Sequence, residues 1–159
     1  MVLLTGEPGV GKSRIVQALR GRLEDETYTL LSLFCSPYHV NSALYPVIVL
    51  LERAAGFGRE DSSADKLSKL EALLAQGTES LREAVPLIAE LLGIPLGEQY
   101  APLNLSPQRQ KLRTLEVLVE QIEGLAARHP VLAVYEDAHW MDPTTSEGLG
   151  LLIDRAIWS

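Results

Sequence analysis

The sequence predicts an α/β fold built on a parallel β-sheet, and three observations support that prediction. Apolar runs typical of buried strands occur at residues 2–4, 27–34 and 131–135. Segments with a helical apolar period lie between and after these runs. A glycine-rich turn joins the first run to the first helix, and parallel α/β sheets bind their ligands at such strand ends.

The first three elements form a predicted strand-helix-strand unit with parallel strands. Residues 2–4 are a short apolar strand, and residues 12–23 form a helix with apolar side chains at helical spacing. Residues 27–34 form the second strand, because they are rich in strand-favouring residues and too few for a convincing helix. The apolar face of the helix consists of Ile15, Val16, Leu19 and Leu23.

The helix start and stop signals in residues 41–93 predict three helices inserted between the second and third strands. The first ends at Gly56, since glycine is favoured just after a helix. Ser62 opens the second helix with the pattern of a capping box. The third helix covers residues 79–92 and is predicted to kink or restart at Pro86.

The sequence pattern of the last part of the chain predicts a long helix, a strand and a final helix. Ser106 caps the long helix, a proline occupies its first position, and Pro130 lies just beyond its end. Residues 131–135 are a continuous apolar run, typical of a strand covered on both faces. Residues 143–157 form the final helix. The predicted buried face of the long helix consists of Leu112, Leu115, Leu118, Val119, Ile122 and Leu125.

Composition limits the function classes that are open to this chain. Its 159 residues suit one domain, and its net charge of −7, with no Lys/Arg block longer than two, argues against nucleic-acid binding. No stretch approaches the roughly 18 apolar residues of a bilayer span, so we expect no membrane partner. Cys35 is the sole cysteine, which excludes an internal disulfide and fits a reducing cytoplasm. We expect Cys35 to pack at a strand end.

The turn after the first apolar run fits the pattern G-x-x-x-x-G-K-S/T at every specified position. In such a loop the backbone N–H groups surround the phosphates of a nucleotide, and the following helix directs its dipole at the same anion. The pattern predicts that Lys12 reaches the β- and γ-phosphates and that the Ser13 hydroxyl binds Mg²⁺. The predicted nucleotide contacts are Gly6, Glu7, Pro8, Gly9, Val10, Gly11, Lys12, Ser13 and Arg14.

Two acidic residues, Glu136 and Asp137, follow the third predicted strand. The carboxyl ends of parallel strands share one edge of the sheet, so these acids are expected beside the glycine-rich loop. A magnesium nucleotide needs an oxygen ligand opposite Ser13, and hydrolysis needs a group that orients the attacking water. The two carboxylates could divide these roles. The alternative is that they simply begin a solvated loop.

Four segments stand out together: the glycine-rich loop Gly-Glu-Pro-Gly-Val-Gly-Lys-Ser, Tyr-Glu-Asp-Ala-His-Trp-Met-Asp-Pro from residue 135, Cys-Ser-Pro-Tyr-His from residue 35 and Leu-Ser-Pro-Gln-Arg-Gln from residue 105. With these four segments the chain resembles the predicted ATPase modules of the AAA/STAND group. These modules are often labelled origin-recognition-complex-like AAA domains, and they occur in bacterial signalling proteins beside class III adenylate/guanylate cyclase domains and tetratricopeptide repeats. The resemblance covers essentially the whole chain.

This resemblance implies a P-loop NTPase three-layer sandwich with catalytic residues Glu136 and Asp137. Glu136 takes the position of the metal-side acid, and with Ser13 it would hold Mg²⁺. Asp137 takes the position of the water-orienting acid. In the usual pattern the first acid is aspartate, so Glu136 departs from it, and this departure concerns hydrolysis more than binding.

The resemblance also implies that further elements follow the acid-bearing strand in complete domains. We therefore expect residues 1–159 to be a partial P-loop ATPase domain that is incomplete at the C-terminus, with 41–93 as a helical insertion. The central strand, its polar sensor, the arginine finger and the lid would lie outside this sequence.

Three functions are compatible with these patterns. The first is ATP binding with Mg²⁺, which in the complete protein would support ATP hydrolysis as a signalling switch read by other domains of the same protein. The second is a regulatory module that binds nucleotide without turnover. The third is a small-molecule kinase whose acceptor lid is residues 41–93. GTP is disfavoured, because no guanine-binding Asn-Lys-x-Asp sequence occurs.

Other polar residues have simpler interpretations. Cys35 and His39 lack a second ligand pair for a tetrahedral metal site. His139 and its neighbour Trp140 are expected to order the loop after the acids. The Asp142-Pro pair has the pattern of a helix cap that needs no function. The basic cluster near the start of the long helix, Arg109, Lys111 and Arg113, is expected to be a solvated face.

Overall fold

The computed structural model describes residues 1–7 and 9–158, with side chains as far as residue 156. This part of the chain contains six α-helices, two β-strands and two 3₁₀ turns. The turns cover Pro37–His39 and Ala138–Trp140. In chain order the helices and strands are α1 (Lys12–Arg22), β1 (Thr29–Phe34), α2 (Tyr45–Ala55), α3 (Ser63–Leu74), α4 (Leu81–Leu91), α5 (Pro107–Ala126), β2 (Val131–Glu136) and α6 (Pro143–Trp158).

The two strands form a parallel sheet in a continuous register from Thr29 opposite Val131 to Phe34 opposite Glu136. Backbone hydrogen bonds extend the pairing at its end, where Cys35 N donates to Glu136 O over 3.0 Å. Parallel strands need a long crossover, and here helices α2 to α5 supply it. The α/β character of the fold and its parallel strand pairing are therefore confirmed.

The predicted strand at residues 2–4 is wrong. The described residues before the glycine-rich loop do not form a strand, and Val2 and Leu3 are 85% and 74% exposed. Residues 2–4 pair with neither strand of the sheet, so this segment gains no ladder hydrogen bonds. The sheet accordingly has two strands instead of three, and the predicted strand-helix-strand unit lacks its first strand.

The predicted bounds of α1 are confirmed to within one residue, but its apolar face is not covered. Of its described residues none is buried, and Ile15 and Leu19 are 56% and 45% exposed. The apolar spacing correctly indicated a helix. It also implied a covering layer, which the described part of the chain does not provide.

The hydrophobic core lies within the helical crossover instead of under the sheet. Helices α2, α3 and α4 begin and end close to the predicted positions, and Gly56 follows α2 with the left-handed φ of 67°. Ser62 and Asp65 form the predicted capping box of α3. The fully buried side chains of this core include Leu70, Leu74, Val85, Leu87, Ile88 and Val117.

Helix α4 runs without interruption through Pro86, so the predicted restart is not observed. Residues 84–89 are all buried, and this packing outweighs the hydrogen bond that proline cannot donate. Tertiary burial thus overrides a local signal that ordinarily breaks a helix.

Helix α5 packs on both α4 and α6, so its buried residues differ from the predicted single face. Leu112 is 45% exposed, whereas Thr114 and Gln121 are buried. Gln121 Nε2 donates to Leu73 O over 3.1 Å. Nearby, α5 crosses the loop after α3 so closely that a Cβ on Gly124 would lie 1.7 Å from Gly77 O.

The third predicted strand and the final helix are confirmed within one residue as β2 and α6. Residues 131–135 are only half-buried, however, so the prediction that both faces are covered is wrong. In residues 1–7 and 9–158, no helix has the length and apolarity needed to cross a bilayer.

Candidate functional site

The glycine-rich loop owes its shape to three glycines with positive φ. Gly6, Gly9 and Gly11 have φ values of 153°, 87° and 94°, which L side chains rarely adopt. Glycine therefore allows the chain to turn through the loop without steric cost. The predicted contact at Pro8 lies outside the described residues.

Helix α1 begins directly at the end of this loop. Gly11 is its N-cap in the left-handed conformation, so no side chain caps the first turn. The first N–H groups of a helix have no partner within it, and the first turn of α1 carries no acidic residue. The free N–H groups and the positive end of the helix dipole together favour an anion at this point.

The Lys12 side chain folds back over the loop. Its Nζ donates to Gly6 O over 2.7 Å and to Glu7 O over 3.0 Å. The ammonium is thus held by main-chain carbonyls of the loop, and a phosphate would have to compete with them for it. Among the other predicted contacts, Glu7, Val10, Ser13 and Arg14 are exposed to solvent.

The acid pair lies at the carboxyl end of β2, as predicted. Glu136 is the last residue of the strand and is exposed. Asp137 adopts left-handed backbone angles, with φ 52° and ψ 43°, and its carbonyl accepts from Trp140 N over 2.9 Å. Such angles are uncommon for a residue other than glycine, and they turn the chain sharply away from the strand.

The carboxyl end of β1 lies next to the acid pair. Phe34 is opposite Glu136 and is 60% exposed, whereas Cys35 is only 1% exposed. Burial raises the pKa of the Cys35 thiol, and the negative charges of Asp142 and Asp137 raise it further. The expected packing of Cys35 at a strand end is confirmed, and both carboxylates act on this one thiol.

Asp142 was predicted to be only a helix cap, but the structure gives it a wider role. Its side chain is 2% exposed and caps α6 by accepting from the backbone N–H groups of Thr144 and Thr145, each over 3.0 Å. Asp142 Oδ1 also accepts from Leu44 N over 3.2 Å. The Asp-Pro sequence signalled the cap, but no local pattern can reveal a bond between residues 44 and 142.

The two histidines that the sequence analysis considered each lie beside an aromatic ring. His39 stacks on Tyr45, with ring centroids 3.5 Å apart and planes 12° from parallel. His139 lies against Trp140 with centroids 4.9 Å apart. Both contacts involve the short turns that follow the two strands.

The predicted site consists of two parts. One is the loop with Lys12, and the other is the strand edge with Glu136 and Asp137. Within residues 1–7 and 9–156, no hydrogen bond or ion pair joins these parts. The same residues contain no cluster of three or more His, Cys, Asp or Glu side chains that could hold a metal ion.

A relative from Rhizobium meliloti (strain 1021), itself described as an uncharacterized protein, is 29% identical over 152 residues, which cover 94% of this chain. The chain spans 14% of that relative's length. No solved structure matches the chain. The family model of the AAA ATPase domain matches residues 1–157, which include both the loop and the acid pair, and the chain therefore belongs to the AAA ATPase domain family.

Proposed function

We propose that this chain binds ATP together with Mg²⁺ between the glycine-rich loop and the acid pair at the end of β2. In the complete protein, ATP hydrolysis would serve as a signalling switch in the cytoplasm, read by other domains of the same protein. The proposed fold is that of a P-loop NTPase three-layer sandwich. Residues 1–159 would form part of that domain, with residues 41–93 as a helical insertion.

One observation carries the proposal: a loop with three left-handed glycines leads into an uncapped helix, and the Lys12 ammonium lies within that loop. Each feature favours a bound phosphate for its own physical reason. The glycines allow close approach of the backbone, the helix N-terminus supplies N–H donors, and the ammonium supplies a full positive charge.

The proposed role of Lys12 is to exchange its carbonyl partners for phosphate oxygens. In the described structure its two acceptors are neutral carbonyls. A phosphate oxygen carries negative charge, so it attracts the ammonium more strongly than a neutral carbonyl oxygen does. Phosphate binding would therefore draw Lys12 away from Gly6 O and Glu7 O, while Ser13 would bind Mg²⁺ from the first turn of α1.

The acid pair would complete the site from the sheet edge at the end of β2. Glu136 is exposed at the end of β2, which leaves its carboxylate accessible to Mg²⁺ directly or through water. Asp137 follows in a sharp turn and would orient the attacking water. A second candidate function, nucleotide binding without turnover, is favoured by the longer Glu136 side chain at the position where the family pattern has aspartate.

Lys12→Ala tests the binding site. Removing the ammonium deletes a charge-assisted contact of roughly 1.5–3 kcal/mol, so ATP affinity is expected to fall about tenfold or more. The measurement is titration of labelled ATP, with GTP as the competing nucleotide. We expect ATP to bind more tightly than GTP.

Lys111→Ala is the matched control, because Lys111 pairs with Glu147 across α5 and α6 on the surface. This variant also loses a lysine, but it should retain wild-type affinity. Equal ATP affinity in wild type and Lys12→Ala would contradict the proposed site. Turnover measured on the same samples separates an ATPase from a module that only binds nucleotide.

A further inference from the structure

Asp142 has one hydrogen bond that helix capping does not explain. Its bonds to Thr144 and Thr145 are local and satisfy the first turn of α6. Its bond to Leu44 N joins two parts of the chain that are 98 residues apart, and it is buried. A buried carboxylate that accepts three backbone N–H groups is held firmly in place.

Leu44 has an unusual backbone conformation for its residue type. It lies just before α2 with φ 58° and ψ 20°, and its side chain is buried. Left-handed angles on a residue other than glycine persist only where the surroundings hold them. The Asp142 carboxylate is one such restraint, because it binds the N–H group of that residue.

Asp137 shares this unusual conformation. In residues 1–7 and 9–158, Leu44 and Asp137 are the two residues other than glycine with positive φ. The short segment from Asp137 to Asp142 is itself hydrogen-bonded, since Trp140 N donates to Asp137 O over 2.9 Å and Met141 N donates to Ala138 O over 3.1 Å. Asp142 thus fixes the far end of the turn that begins at the acid pair.

We propose that Asp142 is a positioning residue: by joining the start of α2 to the turn after β2, it holds Asp137 and Glu136 in place at the sheet edge. The part of this inference that concerns catalysis rests on the proposed function. Helix α2, which begins directly after Leu44, contributes Leu51 to the helical core. The turn that carries the acid pair is therefore joined to the start of a helix that packs in the core.

Asp142→Ser separates this role from simple capping. A serine oxygen lies one bond closer to the backbone, so it can still cap Thr145 N but should no longer reach Leu44 N. Asp142→Asn keeps the shape and the accepting oxygen, and it is the conservative rescue. Ser62→Ala is the control, because it removes the cap of α3, where Ser62 accepts from Asp65 N over 3.2 Å.

Three measurements are made on each variant: the Kd for ATP, the kcat for ATP hydrolysis, and hydrogen exchange of the Trp140 and Met141 amides without nucleotide. For Asp142→Ser we expect a Kd for ATP in EDTA within about twofold of wild type and a kcat with Mg²⁺ at least about tenfold lower, since small misplacement of catalytic groups is costly. The two amides should exchange faster than in wild type. Asp142→Asn should restore both properties, and Ser62→Ala should leave both unchanged.

The inference is overturned if Asp142→Ser changes neither kcat nor exchange of the turn, because Asp142 would then be only a cap. It is also overturned if Kd and kcat deteriorate equally, which would indicate general damage to the site. If wild type binds ATP without hydrolysing it, the second candidate function holds, and if wild type does not bind ATP, the proposed function fails. Exchange in Asp142→Ser and Ser62→Ala then still decides whether Asp142 positions the turn.

Discussion

At the scale of single residues, glycine has two separate roles in this chain. In the loop, Gly9 and Gly11 supply left-handed backbone angles and have no atom within contact distance of an added Cβ. Gly77 and Gly124 instead allow two backbones to approach, since a Cβ on Gly77 would lie 2.3 Å from Gln121 O. The first role shapes the candidate site, and the second allows α5 to cross the helical core.

Gly124→Ala should destabilise the protein strongly. The new Cβ would lie 1.7 Å from Gly77 O, and because that atom is backbone the conflict can be relieved only by moving the chain. We expect a loss of about 3 kcal/mol or more in the free energy of unfolding, measured by urea denaturation.

Gly150→Ala is the matched control within α6. An added Cβ at Gly150 meets open space, so we expect no loss and a gain of up to about 1 kcal/mol from helix propensity. Equal free energies of unfolding for Gly124→Ala and Gly150→Ala would contradict the close crossing of α5.

Sequence patterns predicted the local features of the site better than its long-range contacts. The motif and the apolar run before the acids correctly placed Lys12 at the start of a helix and Glu136 at the end of a strand. The left-handed angles of Asp137 and Leu44 could not be predicted, because surrounding contacts impose them. The bond between Asp142 and Leu44 had no sequence signal for the same reason.

At the scale of elements, the sequence predicted where helices begin and end more accurately than which residues they bury. Glycines, prolines and capping residues placed the helix ends within a few residues, because these signals act locally. The predicted strand at residues 2–4 failed, because a strand depends on a partner. The apolar stripe of α1 likewise indicated the helix but not its surroundings.

Helix α1 should therefore be the least protected helix in the absence of nucleotide. Its described residues include no buried side chain, whereas α4 has six consecutive buried residues. Hydrogen exchange in α1 is expected to be at least about 100-fold faster than in α4, since amides in weakly packed elements exchange through local opening. Adding ATP and Mg²⁺ should slow exchange in α1, because the proposed phosphate site lies at its first turn.

Exchange in α4 provides the internal control, since nucleotide should leave it almost unchanged. Protection of α1 equal to that of α4 without nucleotide would contradict this description of the helix. Protection of α1 that does not respond to ATP would contradict phosphate binding at its N-terminus.

At the scale of the whole molecule, the helical core and the candidate site are separate. The core lies in α2 to α5, and the loop and the acid pair are exposed outside it. The bond from Asp142 to Leu44 joins the start of α2 to the acid-bearing turn. The glycine-rich loop has no hydrogen bond or ion pair to the acids among the described residues, so a bound Mg²⁺ and nucleotide would bridge the two parts.

The central claim is that the loop and the acid pair form one magnesium-nucleotide site. The most direct test is calorimetric titration of ATP with Mg²⁺ and with EDTA, on wild type and Glu136→Gln, with Glu98→Gln as the surface control. We predict that Mg²⁺ tightens ATP binding to wild type and to the control. In Glu136→Gln this Mg²⁺-dependent gain should shrink about tenfold while the affinity in EDTA is retained. The same Mg²⁺ dependence in all three proteins would contradict the claim.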